Sequence, residues 1–340
     1  MNPSLQLIWR RTTRLFTAVK ARRIIFYAQM STFVDDKSPV CIPFILGQYT
    51  KHVEEYKLKN LDIPPFFIGI NGLQGVGKTT LVTNLEHIFK APPYSLPVVV
   101  FSIDDLYLSH SDQGLVAKEN SSNPLVQHRG EPGTHDMILA RTIFSALKAG
   151  EEVSIPFYDK SQFNGAGDRA PKSRWRTVNV HGQETAKIII FEGWCVGFRA
   201  ISEQEIRTKY LESQEAAAKE KYGQTSRTTL WKYTPEDLLF VNTRLKDYDI
   251  MTDNFNVFVH LDALDTEFVY KWRQQQESEL RARTGRGMSD EQVVAFVDGY
   301  YPAYELYSKG LREGVIRGHR GRQLRIVVNG ERKIVSTAII

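Results

Sequence analysis

The chain has 340 residues, 42% of them hydrophobic and 24% charged, a balance that fits one elaborated α/β domain or two smaller ones. No window approaches the ~18 unbroken apolar residues of a membrane span, and two cysteines, Cys41 and Cys195, exclude a disulfide framework and suit a reducing compartment. The net charge of +5 is misleading: residues 1–34 hold +6 with no acid, which leaves −1 on the rest, so no nucleic-acid surface is indicated there.

In chain order, the basic extension comes first. Leu5, Ile8, Trp9, Leu15, Phe16 and Val19 share a helical face, with Arg10, Arg11 and Arg14 opposite. That is the pattern of a mitochondrial transit peptide, with a start at Met30 as the alternative. The expected location is cytoplasmic, or mitochondrial if residues 1–29 are such a peptide. Residues 35–340 form the expected folded domain. Phe66–Ile70 reads as a short buried strand, followed by a helix to about Lys90. Pro97–Ile103, "PVVVFSI", is a second strand. Thr134 is expected to cap a helix, with Asp136 in its first turn, that Gly150 stops. Residues 151–182 read as an excursion. Lys187–Phe191 is a third strand. Ser202-Glu-Gln-Glu205 opens a charged helix ending at Gly223, and Thr234-Pro235 opens another. Asn256–Leu261 is a fourth strand. A long charged helix runs to about Arg283, Ser289-Asp-Glu-Gln292 is a further capping box, and Leu324–Val328 is the last strand. Apolar strands alternating with helices predict an α/β fold, a parallel sheet covered on both faces. Residues 200–250 read as a helical insertion.

The segment Gly72-Leu73-Gln74-Gly75-Val76-Gly77-Lys78-Thr79-Thr80 fits G-x-x-x-x-G-K-[ST] between a predicted strand and a predicted helix. Glycines let successive N–H groups turn inward, and the helix aims its positive end at the same point. Lys78 is placed to reach β- and γ-phosphates and Thr79 to ligate Mg2+. The second strand ends in Asp104 and Asp105, the third in Glu192. Carboxyl ends of parallel strands face the ligand crevice. Asp104 is placed to orient an acceptor hydroxyl and take its proton late, since a carboxylate is too weak a base to strip an alcohol outright. It can also help to hold magnesium, the role that Glu192 takes in a Walker-B-like arrangement.

The stretches "GINGLQGVGKTT", "SIDDLYL", "QHRGEPGTHD", "YDKSQFNGAGDRAP", "FEGWCVGF" and "WRQQQESELRARTGRGMSDEQVVAFVDGYYPAYELY" resemble the D-glycerate 3-kinase family, its fungal ATP-dependent kinases in particular, over roughly residues 60–310. The resemblance implies a P-loop NTPase three-layer core with a five-stranded parallel sheet, and MgATP-dependent phosphorylation of a small hydroxyl acceptor. It puts Lys78 and Thr79 on the phosphate and magnesium positions, Asp104 on the base position and Glu192 on the Walker-B acid.

A carboxylate-bearing acceptor such as glycerate calls for a fork of donors. Arg129 and His135 in one loop, and Asp159, Lys160 and Arg169 in another, are the candidates, with Asp105 and Tyr107 beside them; Tyr107 reads as a packing wall. Residues 273–290 read as a lid. Its Arg273, Arg281 and Arg283 stand at ion-pair spacing from Glu277 or Glu279, which leaves Arg286 as the lid arginine for the transferring phosphoryl group. The competing classes are a nucleotide-driven switch or hydrolase, for which no N-K-x-D guanine motif occurs, and a scaffold with an inherited phosphate loop. No oligomeric state is indicated.

Overall fold

The computed structural model describes residues 35–220 and 228–340. The basic extension and the predicted helix end at Gly223 lie outside them. In chain order, α1 (Ser38–Leu58) leads into β1 (Phe66–Gly72), α2 (Lys78–Lys90) and β2 (Val98–Ser102). Then come α3 (His110–Glu119), α4 (Met137–Ala149) and the short strands β3 (Val153–Ile155), β4 (Tyr158–Asp159), β5 (Asp168–Arg169) and β6 (Arg176–Val178). The chain returns to the core as β7 (Ile188–Gly193) and passes through α5 (Glu203–Glu220), α6 (Pro235–Leu245) and α7 (Asp249–Thr252) to β8 (Val257–Ala263). It closes with α8 (Phe268–Thr284), α9 (Asp290–Asp298), α10 (Tyr301–Glu313), β9 (Gln323–Val328) and β10 (Ile334–Ile339).

The sheet order is β10-β9-β8-β1-β7-β2. The five strands from β9 to β2 are mutually parallel, as the sequence predicts, and β10 adds a sixth, antiparallel to β9. It escaped the sequence reading because Ser336, Thr337 and Ala338 are exposed on an edge strand, without the apolar run of a central one. In β1 and β8 every residue is buried, and in β7 every residue except Glu192. Both faces are covered. On one, Tyr49 and His52 of α1 pack on Phe66 at 5.5 and 5.2 Å between ring centroids. On the other, Phe144 of α4 stacks on Phe67 at 5.9 Å. Among the described residues no helix is long and apolar enough to cross a membrane.

Local signals hold at most helix starts. Thr234 and Ser289 each close a capping box, and Ser202 Oγ accepts from Glu205 N–H. One correction concerns α4. Asp136, not Thr134, is its cap, with Asp136 Oδ1 accepting from Leu139 N–H at 2.9 Å. The Thr134 hydroxyl is used within its own loop, on Glu131 O and Gly130 N–H.

Away from the strand ends, Asp262 of β8 is buried between Arg312 and Arg325, with four hydrogen bonds of 2.6–3.0 Å. Burial opposes its charge, but the two guanidinium groups hold its carboxyl down at about 2. Asp262→Asn strands two arginines and is expected to cost about 3 kcal/mol, the low end for a broken buried pair because both arginines keep contact with solvent. Urea unfolding at neutral pH measures it. A depressed carboxyl stabilises above its ordinary pKa near ~3.9, so this contribution is lost as pH falls from there through about 2.

Candidate active site

β1 ends in the glycine loop, and α2 begins at Lys78 with Gly77 as its cap residue. Gly77 has φ +105°, a left-handed conformation that costs a side-chain-bearing residue strain. A Cβ there would meet nothing within 4 Å, so it would project into open space at the mouth of the cradle. The loop is curled by Val76 N–H donating to Leu73 O at 3.2 Å. Leu73 and Val76 turn their side chains into the core, so they offer a ligand only backbone. The N–H groups of Gly75, Gly77, Lys78 and Thr79 have no acceptor among the described residues. Four unpaired donors at a helix N-terminus fit a phosphate chain. Lys78 Nζ lies back over the loop, donating to Gly72 O at 2.6 Å and Leu73 O at 3.1 Å. Burial pulls its ammonium pKa below the ordinary value, and Glu192 and Asp104 act in the opposite direction.

Register brings the acids to this loop. Glu192 is paired with Ile70 of β1 on one side and Ser102 of β2 on the other. Burial raises the Glu192 carboxyl above its ordinary range, with Lys78 and a hydrogen bond from Ser102 opposing. Ser102 then opens a single 3-10 turn, Ile103–Leu106, by capping Asp104 N–H at 3.2 Å. Asp104 Oδ2 accepts from Lys160 Nζ at 2.5 Å. Burial would raise the Asp104 carboxyl, but the charge and hydrogen bond of Lys160, with Lys78 behind it, outweigh burial and hold the group below its ordinary value. Thr79 and Thr80 are exposed beside the cradle. Among the described residues no three His, Cys, Asp or Glu side chains gather as a protein-only metal centre. A hydroxyl and one or two carboxylates beside a phosphate cradle fit Mg2+, which binds through phosphates and keeps much of its water.

The acceptor candidates divide. Lys160 reaches Asp104. His135 is buried against Tyr107, with ring centroids 4.4 Å apart, and its Nδ1 is 2.6 Å from the Tyr248 hydroxyl. Its Nε2 is buried without a partner, and burial lowers its pKa to about 3, so the ring is neutral. Tyr107 is the buried wall that the sequence predicts. Arg129 donates to the carbonyls of Gly165 and Ala166 and lies over the Tyr158 ring, which ties its loop to the 158–169 excursion. Arg169 is engaged by Asp136 at 3.0 Å and Tyr107 O at 2.8 Å, leaving Nε buried and unpartnered. Two acids are used locally. Asp105 Oδ2 accepts from Ser102 N–H at 3.0 Å, completing the capping box. Asp159 accepts from the Ser161 hydroxyl and Gln162, which hold it down at about 2.

In the 273–290 segment, Arg273 pairs with Glu277 at 2.5 Å, as the spacing predicts. Arg281 does not pair with Glu277; it turns to Met288 O and to Asp290, the latter at 3.0 Å, because the chain folds back after Gly285. Arg286 is exposed in that turn, and none of its described contacts reaches Lys78, Asp104 or Glu192. The sequence reading passed over Ser102, which joins Asp104 to Glu192, and Asn71, whose side chain ties β1 to Trp194 O and Val196 O at 2.9 and 2.8 Å. Ser102 carried a signal, a Ser three residues before Asp105 at a strand end.

A parallel sheet whose first strand opens into this cradle, with acids at the ends of the adjacent strand β7 and of β2 beyond it, defines a P-loop kinase. No family model matches the chain. It is 42% identical over 72% of its length to an uncharacterized kinase of Schizosaccharomyces pombe, covering 81% of that protein. It is 35% identical to a probable ATP-dependent kinase of Saccharomyces cerevisiae over 80% of this chain and 87% of that one. The solved D-glycerate 3-kinase of Cryptococcus neoformans superposes with a TM-score of 0.79 at 33% identity, over 89% of this chain and 99% of that one. The chain belongs to the D-glycerate 3-kinase family, with its fungal ATP-dependent kinases.

Proposed function

We propose that this kinase transfers the γ-phosphate of MgATP to a hydroxyl of a small, acidic metabolite, glycerate or a close analogue. The observation that carries the reading is Asp104, capped by Ser102, bonded to the Lys160 ammonium and within electrostatic reach of Lys78 and Glu192. On one side stands the phosphate cradle, on the other a cation for an anionic acceptor.

The geometry supports the following roles. The loop N–H groups and Lys78 would bind the phosphates, and Thr79 and Glu192 would hold the magnesium, which would supply positive charge beside the transferring group. Asp104 accepts a hydrogen bond from the acceptor hydroxyl and its proton late in transfer. Lys160, freed from Asp104 when a hydroxyl takes its place, pairs with the acceptor carboxylate. His135, neutral and stacked on Tyr107, offers its free Nε2 to a second acceptor group. The 273–290 segment acts as a lid, with Arg286 its arginine for the transferring phosphoryl group, and residues 200–250 are a helical insertion in one kinase domain of residues 35–340. Two cysteines in 340 residues suit a reducing compartment, and the cytoplasm is the location we propose; co-fractionation with mitochondria overturns it.

The test incubates purified protein with MgATP and a pool of small hydroxy acids and identifies by mass which species gains a phosphate. One phosphorylated hydroxy acid is expected. ATP consumption indifferent to every acceptor, with no phosphorylated product, sinks the reading in favour of a hydrolase.

A further inference from the structure

We infer that Arg332, in the turn of the C-terminal hairpin, is a positioning residue for the nucleotide: it fixes the phosphate loop from behind and links that loop to the lid helix. This rests on the kinase reading above, but no motif of the phosphate loop contains it.

The turn between β9 and β10 is rigidly built. Asn329 Oδ1 accepts from Glu331 N–H and Lys333 N–H at 3.1 and 3.0 Å, and Arg332 N–H donates to Asn329 O at 2.9 Å. Arg332 takes φ +62°, a left-handed conformation uncommon for a residue with a side chain. Its carbonyl is held by Lys37 Nζ at 2.7 Å. From this fixed backbone the side chain makes three contacts, among the described residues, that bear on the phosphate loop. Nε donates to Gly75 O at 2.6 Å, in the middle of the phosphate loop. A terminal nitrogen donates to Gln275 Oε1 of α8 at 2.9 Å. The guanidinium lies over the Trp272 ring, 5.4 Å from its centroid. Trp272 is fully buried, and its Nε1–H donates to Gly330 O at 2.7 Å, back in the hairpin.

Gly75 sits against this platform so closely that a Cβ on it would lie 2.7 Å from the Trp272 Cβ. The peptide after Gly75 is thus held at both ends, its carbonyl by Arg332 and its N–H by Leu73 O. Fixing that peptide fixes the direction of the free N–H groups on either side of it, at Gly75 and Gly77. Preorganised donors bind an anion without first paying to order the loop. A planar guanidinium can serve a carbonyl, an amide and a ring face together, and a lysine cannot. The turn between β9 and β10, at the edge of the sheet by topology, thereby belongs to the nucleotide site.

Calorimetric titration of MgATP into the full chain tests this, with urea midpoints measured alongside. Arg332→Ala is expected to weaken MgATP about tenfold, the scale of one charge-assisted hydrogen bond, and to leave the KM of the acceptor within about twofold. Arg332→Lys is expected to lose about three- to fivefold and, keeping the size and charge, serves if the alanine variant does not fold. Glu331→Ala, an exposed neighbour in the same turn, is the control and is expected to bind like the parent. Arg332 variants that bind MgATP as tightly as the parent overturn the inference and leave the kinase reading standing, as does an equal loss in Glu331→Ala. A parent chain that binds no MgATP overturns both.

Discussion

Asp104→Asn is expected to lower turnover by about 100-fold or more while MgATP still binds. The substitution keeps size and shape, and the cap from Ser102 to the Asp104 backbone does not involve the lost charge, so the 3-10 turn and the sheet stay intact. In the proposed mechanism the acceptor then loses the group that orients its oxygen and receives its proton. The same change removes the partner of Lys160, so the KM of an anionic acceptor is expected to fall or hold while kcat drops. That split separates a base from a binding residue. Because its neighbours hold the Asp104 carboxyl below its ordinary value, it is ionised throughout the neutral range. No acid limb near neutrality is expected from it in kcat/KM, and such a limb that vanished in Asp104→Asn contradicts the arrangement. Single-turnover kinetics with saturating MgATP measure the loss, and full transfer activity removes Asp104 from the role.

How much of this was legible in the sequence depended on the range of the interaction. The glycine loop announced itself because its chemistry is local: Gly72 to Thr79 make one continuous turn between strand and helix. Strands β1, β7 and β8 were equally plain, since a strand buried on both faces has to be an apolar run. The edge strand β10 was not. Nor were the first helices α1 and α3, which lack a clean apolar stripe. Asp104 and Glu192 could be named as strand-end acids, but only the register that pairs Ser102 with Glu192 brings them to one place. For the acceptor loops the sequence offered charges without geometry. Asp105 and Asp159 spend theirs on neighbouring backbone and hydroxyl groups, and Arg169 on Asp136. Arg332 could not have been found at all by pattern, since 257 positions separate it from the carbonyl it holds.

Lys78→Ala tests the other half of the site. It is expected to cut turnover by about 100-fold or more and, unlike Asp104→Asn, to weaken MgATP as well. Among the described residues the side chain donates only to carbonyls of its own loop, and burial already disfavours its charge. Removing it therefore takes away a desolvated cation and strands no partner of opposite charge in a hydrogen bond. Stability is expected to stay within about 1 kcal/mol of the parent, read from the urea midpoint. Glu192 responds in a way that a mere loss of fold would not imitate. Lys78 is the cation that pulls its carboxyl down against burial, so without it the Glu192 pKa rises further. In the proposed role Glu192 has to be ionised to hold magnesium; it is then protonated at higher pH, and the magnesium dependence of the residual activity is expected to steepen as pH falls. If Lys78→Ala folds, binds MgATP like the parent and turns over at the parental rate, the cradle is not where the triphosphate sits.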